Sequence, residues 1–158
     1  MTKKRTKRRN VNTSGNTQTN ARKVIYKGMT FRSMLERDMY KLMESSKIPF
    51  AYEGQKFELD PAFTSPHDSY ERFMNGKGDF KNRGGKRYKQ AVYTPDFTPP
   101  VGEPLNWVIE IKGRAFPDFG RTWRLFKKML IEEGRETICF VPRNLQDCKE
   151  TIKIIKAL

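Results

Sequence analysis

The sequence predicts an α/β domain, one mixed sheet flanked by helices, with elements in the order α-β-β-β-α-β-α. Three observations lead there. Apolar residues recur at helical spacing in three stretches and alternate, or run together, in the stretches between them. Prolines and glycines gather at the boundaries of those stretches. The chain has 158 residues, enough for one domain with its own core and hardly for two.

Residues 1–22 come first, a basic KKRTKRR segment followed by the polar run NVNTSGNTQTN. Such a composition cannot bury enough apolar area to offset the entropy of ordering, so an arm disordered when free is expected. Lys3, Lys4, Arg5, Lys7, Arg8 and Arg9 are its candidate nucleic-acid contacts. A solubilising or targeting tail is the alternative.

Residues 30–46 read as a helix, with Phe31, Met34, Leu35, Met39, Leu42 and Met43 on one apolar face. Glu36 falls at the edge of that face, and Ser33-x-x-Glu36 is a capping-box pattern. Residues 48–60 read as a strand. Phe50 and Tyr52 share one parity, Phe57 and Leu59 the other, so a bulge or bend is expected around Gly54.

Residues 61–92 read as a basic insertion loop rich in proline and glycine. Arg72 to Lys89 hold seven basic residues and one acidic, Asp79, with Tyr70, Phe73, Phe80 and Tyr88 interleaved. Basic and aromatic side chains together suit backbone contact and base stacking. A solvated loop or flexible hairpin is the alternative. Lys81, Arg83, Lys86 and Arg87 are the candidate contacts here.

QAVYTPDFT (90–98) and NWVIEIKG (106–113) read as two strands joined by the turn PPVGEP. Residues 121–133 form a helix with Trp123, Phe126 and Leu130 on one stripe and Gly134 as its C-cap. Its Arg121, Arg124, Lys127 and Lys128 are further candidate contacts. ETICFV (136–141) fits a buried strand. Residues 144–158 read as a closing helix with Leu145, Ile152 and Ile155 inward.

Charge narrows the partners. The chain has 32 Lys and Arg against 18 Asp and Glu, a net +14. Ten of the basic residues precede the first carboxylate, Glu36. A polyanion is the expected partner, nucleic acid ahead of an anionic membrane surface. No apolar run approaches the ~20 residues a membrane span needs. The N-terminal stretch lacks the apolar core of a secretory signal, so a cytoplasmic location is expected. Cys139 and Cys148, with one histidine (His67), do not make a zinc site or a multi-histidine centre.

The chemistry-bearing residues are Asp96, Glu110 and Lys112. Along NWVIEIKG, alternation turns Trp107, Ile109 and Ile111 one way and Val108, Glu110 and Lys112 the other. Asp96, on the neighbouring strand, reaches the same side if the register permits. Two carboxylates can hold Mg²⁺, with water and a phosphate oxygen completing its shell. A lysine beside them can orient or deprotonate the attacking water, or hold the phosphate. Taken alone, Glu-x-Lys on a strand is also an ordinary surface pair, and Glu36 an ordinary cap.

The order of these elements resembles the core of the PD-(D/E)xK nucleases. Within that superfamily, FRSMLERDMYKLMESSKIPFAYEGQKFEL and YTPDFTPPVGEPLNWVIEIKG resemble the endonuclease I family of tailed phages, which resolve DNA junctions. The likeness covers residues 31–59 and 93–113, and continues more weakly to about residue 143.

The resemblance implies a restriction-endonuclease-like fold of core order αβββαβ, a nuclease domain over residues 23–158, and hydrolysis of branched DNA leaving 5′-phosphate. It implies Mg²⁺, with Mn²⁺ as a substitute, held by Asp96, Glu110 and the Ile111 carbonyl. Lys112 is then catalytic, and Glu36 completes the site, from the other subunit if the family's intertwined homodimer holds. The host-cell cytoplasm would be its location if phage-encoded. The 61–92 insertion departs from the family, as does a basic arm at the N-terminus in place of a long basic tail. A linear-duplex or nicking nuclease, and a basic nucleic-acid-binding module without catalysis, are the rival readings.

Overall fold

A tight hairpin precedes the first helix in the computed structural model, which describes residues 23–73, 75–113 and 117–158. Strands β1 (Val24–Tyr26) and β2 (Met29–Phe31) pair antiparallel. Lys27 and Gly28 between them have φ of 50° and 77°. Two successive positive φ values match the right-handed twist of a hairpin, and glycine adopts one without steric cost. Thr30 and Phe31 are therefore strand residues, not the start of the expected helix. Helix α1 runs Met34–Ser45, with Ser33 as its N-cap.

Strand β3 (Ala51–Tyr52) and strand β4 (Phe57–Asp60) divide the stretch expected as one strand, and they join different sheets. The break falls where expected, around Gly54, with Glu53 beside it at φ 46°.

The insertion is also structured. Strands β5 (Phe63–Thr64), β6 (Tyr70–Glu71), β7 (Lys81–Asn82), β8 (Arg87–Tyr88) and β9 (Ala91–Tyr93) follow. β4 pairs with β9, β5 with β8 and β6 with β7, all antiparallel. These nested ladders form one two-stranded ribbon where a loop was expected. Short strands broken by proline and glycine do not show the alternation that marks a strand in sequence.

Strand β10 (Phe97–Thr98) and strand β11 (Trp107–Ile109) come next, then helix α2 (Pro117–Glu132), strand β12 (Ile138–Phe140) and helix α3 (Leu145–Lys156). Helix α2 starts earlier than expected, at a proline whose missing N–H costs nothing in a first turn. The principal sheet has the order β12-β11-β10-β3, antiparallel except for the parallel β11–β12 pair. The expected αβββαβ order is thus observed as α1-β3-β10-β11-α2-β12, in a mixed α/β fold.

Both faces of the sheet are covered. Phe97, Trp107, Ile109 and Ile111 pack with Met39 and Met43 of α1 and with Cys148, Ile152 and Ile155 of α3. Val108 packs on the opposite side with Phe126, Met129 and Leu130 of α2 and with Phe57 and Tyr93 of the β4–β9 pair. The stripe expected on α2 meets these cores, and so do Leu35, Met39, Leu42 and Met43 of α1, but Met34, in the first turn of α1, is exposed. On α3, Ile152 and Ile155 point inward as expected, but Leu145, in the first turn, is exposed. β12 is an edge strand and only partly buried, which corrects the reading of a fully buried strand. Both cysteines are free.

Candidate functional site

The site is built on the paired strands β10 and β11. Phe97 lies opposite Ile109 across their antiparallel ladder. One step further along that register sets Asp96 opposite Glu110. The β11 backbone continues past Ile109 along β12, with Glu110 N–H donating to the Phe140 carbonyl (3.0 Å) and Lys112 N–H to the Pro142 carbonyl (3.2 Å). Glu110 and Lys112 therefore stay on the Val108 side of the sheet, facing α2. Asp96 breaks the ladder on the other flank. Its Oδ2 accepts from the Ile111 N–H at 2.6 Å.

Both carboxylates are buried, Asp96 and Glu110 each 4% exposed. Burial and the neighbouring Glu110 charge push Asp96 up to about 8, against the downward pull of the Ile111 N–H. Glu36 adds to the upward push and Lys112 opposes it. Glu110 is held on both oxygens. Oε1 pairs with Lys112 Nζ at 2.6 Å, and Oε2 accepts from the Tyr93 hydroxyl at 2.6 Å. Burial and the adjacent carboxylate hold the Tyr93 phenol well above its ordinary value, so it keeps its proton and donates. Lys112 Nζ also lies over the Phe119 ring of α2, 5.1 Å from its centre.

Glu36 reaches the same region from α1 and is a cap as well. Ser33 Oγ accepts from Glu36 N–H (3.1 Å) and donates to its Oε1 (2.9 Å), while Arg32 N–H donates to its Oε2 (3.1 Å). The second oxygen also accepts from the Tyr52 hydroxyl at 2.9 Å. Burial, then the Glu36 charge, raises the Tyr52 phenol, which is likewise a donor. Glu53 N–H donates to the Asp96 carbonyl (2.9 Å), tying the bend after β3 to the site.

Tyr52 and Tyr93 were not among the residues expected from sequence. Tyr93 stands three places before Asp96, and along one continuous strand that offset would put it on the opposite face. The break at Pro95 between β9 and β10 removes that constraint. Tyr52 shares the parity of Phe50 and reads as core. Its one signal is the hydroxyl, which needs a partner when buried.

The donor set suits Mg²⁺. Hard oxygen ligands are what this ion takes, with one or two carboxylates and the rest water or phosphate. Among the described residues no three histidine, cysteine or acidic side chains gather as a ready-made metal cage. Asp96 and Glu110 are the residues that would hold such an ion, with the Lys112 ammonium beside Glu110.

The expected nucleic-acid contacts divide into groups. Lys3, Lys4, Arg5, Lys7, Arg8 and Arg9 lie outside the described residues. Arg121, Arg124, Lys127 and Lys128 are exposed on α2, Lys127 over the Trp123 ring (5.6 Å) and Lys128 paired with Glu132 (3.3 Å). Lys81, Lys86 and Arg87 are exposed on the ribbon. Arg83 is engaged within it instead. Its Nε donates to the Glu71 carbonyl (3.2 Å) and its guanidinium lies 4.0 Å from the Phe73 ring centre.

No helix among the described residues is long and apolar enough to cross a membrane. No curated protein and no solved structure matches the chain. The sequence model of the DUF1064 family, described as a protein of unknown function, matches residues 16–143, a span that holds the whole candidate site and the ribbon. The chain belongs to the DUF1064 family.

Proposed function

We propose that this chain is a Mg²⁺-dependent DNA endonuclease of the PD-(D/E)xK type, hydrolysing phosphodiester bonds in branched DNA such as four-way junctions. The observation that carries the reading is Asp96 set opposite Glu110 across β10–β11, with Lys112 Nζ 2.6 Å from the Glu110 carboxylate. Asp96 and Glu110, with the Ile111 carbonyl, would hold the ion, and Glu36 would complete the site directly or through water. Bound Mg²⁺ supplies a Lewis acid for the phosphate and lowers the pKa of the attacking water. Mn²⁺ is expected to substitute.

The chain's own residues have distinct tasks. Lys112 is placed to grip a phosphate oxygen or orient the water. Tyr93 and Tyr52 fix the rotamers of Glu110 and Glu36 by donating to them. Exposed cations of α2, the ribbon and the N-terminal arm supply backbone affinity, which weakens with salt. A homodimer acting in the cytoplasm belongs to the same proposal, since paired cuts across a branch point need two sites.

Cleavage of a labelled four-way junction, with and without Mg²⁺, by wild type and Glu110→Ala tests the reading. Cutting by wild type only in Mg²⁺, and none by the variant, is expected. Full activity in Glu110→Ala would sink the site assignment, and equal cleavage of matched linear duplex would sink the junction preference. A second reading, a binding module without catalysis, draws on Glu110 having both oxygens already satisfied within the protein. DNA binding without Mg²⁺-dependent cleavage on any substrate would favour it.

A further inference from the structure

We propose that the distal ribbon, residues 63–88, is a platform that stacks on unpaired bases of single-stranded DNA. The inference rests on the nuclease reading only for where the DNA is then cut.

Neither apolar core contains a residue of this segment. Its aromatics are turned outward instead: Phe63 is 51% exposed, Tyr70 61%, Phe73 57% and Phe80 63%. Exposed apolar patches of this kind mark interaction sites. The rings are fixed in place. Phe63 and Tyr88, opposite each other in the ladder, stack at 4.9 Å, and Tyr70 and Phe80 lie 6.2 Å apart.

The junction between the two ladders has its own bracing. Asn82 Oδ1 accepts from Ser69 N–H (3.1 Å) and Gly84 N–H (2.8 Å), and its Nδ2 donates to Asp68 (2.7 Å). Arg83 N–H donates to the Ser69 carbonyl (2.7 Å). This is a prepared surface, so little entropy is lost when something binds it.

Charge selects the occupant. Lys77, Lys81, Lys86, Arg87 and Lys89 are exposed around the rings. Of the acidic groups, Asp68 and Glu71 are held in hydrogen bonds within the ribbon. Cations beside exposed rings match a phosphate backbone whose bases are free to stack. Paired duplex hides those base faces. A two-stranded ribbon enters a major groove, but the groove offers aromatics only thymine methyl groups.

The test is fluorescence anisotropy with the full chain in EDTA, using oligo-dT of about 20 nucleotides and a blunt duplex of about 20 base pairs. Wild type should bind oligo-dT more tightly than the duplex. Tyr70→Ala and Phe80→Ala should each weaken oligo-dT binding about 5- to 100-fold and change duplex binding less than about 2-fold. Tyr70→Phe should retain wild-type affinity. Both positions lie outside the cores, so unchanged melting temperatures are expected and check folding. Equal weakening on both DNAs, no weakening on oligo-dT, or wild-type preference for duplex would overturn the proposal. Because no metal is present, failure of the nuclease reading shows separately, as absent cleavage beside intact oligo-dT binding.

Discussion

Asp96 and Glu110 face each other across the β10–β11 ladder, one residue beyond the Phe97–Ile109 pair, and both are buried. Like charges set directly opposite on a sheet destabilise it. An unfavourable arrangement at the middle of a fold, kept between well-packed cores, is where a function is to be sought.

The first prediction is a pH dependence of stability. Burial and Glu110 raise Asp96 from 3.8 to about 8 in the folded chain. A carboxyl raised on folding contributes its full stability below the unfolded value and loses it as pH climbs towards the folded value. Asp96→Asn should therefore melt at a higher temperature than wild type near pH 8 without metal, with the gain shrinking towards pH 4. Added Mg²⁺ should raise the wild-type melting temperature most at pH 8. Thermal melts in EDTA and in Mg²⁺ across this range check both, and a gain independent of pH would contradict the assignment.

Tyr93→Phe removes one hydroxyl and keeps the ring that packs 4.9 Å from Phe126. Glu110 Oε2 then loses its donor in a buried setting, a cost of about 1–3 kcal/mol. The urea midpoint should fall accordingly. On the nuclease reading, cleavage should fall on the order of 10-fold as the carboxylate loses its fixed orientation. Paired denaturation and cleavage assays measure the two effects.

Ser33→Ala removes the oxygen that caps α1 and one of the donors to Glu36. The expected loss is about 1 kcal/mol, with Ser33→Asn restoring most of it because asparagine caps equally well. Urea unfolding at constant m-value checks this. A loss of activity in both variants, with stability restored only in Asn, would separate the catalytic placement of Glu36 from its capping.

Gly84→Ala probes the ribbon. A Cβ there would sit 2.5 Å from the His67 carbonyl oxygen and 2.8 Å from Asp68 Cα, both backbone atoms. The backbone between the two ladders must shift, yet the cores lie elsewhere. Hydrogen exchange should quicken across residues 69–83 while amides of α2 and β11 stay protected. Loss of protection in the cores would show the ribbon to be more tightly integrated.

Much of this arrangement is legible in the sequence, because the core elements follow simple periods. The stripe Trp123, Phe126 and Leu130, the alternation of NWVIEIKG and the Ser33–Glu36 cap each rest on local geometry, and each is present. The ribbon is not legible in the same way. Its strands are two or three residues long outside β4, too short for a period, and their partners lie up to about 36 residues away in the chain. Tyr93 is hidden for a related reason: its role depends on the chain break at Pro95, where alternation stops predicting which way a side chain points, whereas Tyr52 keeps its expected parity and is hidden because a buried tyrosine reads as core.

Tyr93 also belongs to two structures at once. It pairs with Phe57 at the root of the ribbon and donates to Glu110 in the site. The ribbon's root and the carboxylate thus share one fixed point. Any occupant that steadies that root also steadies Glu110, and thermodynamic reciprocity requires an ordered Glu110 to steady the ribbon in return. A nucleic acid held on the ribbon and an ion held between Asp96 and Glu110 would then favour each other's binding, without touching.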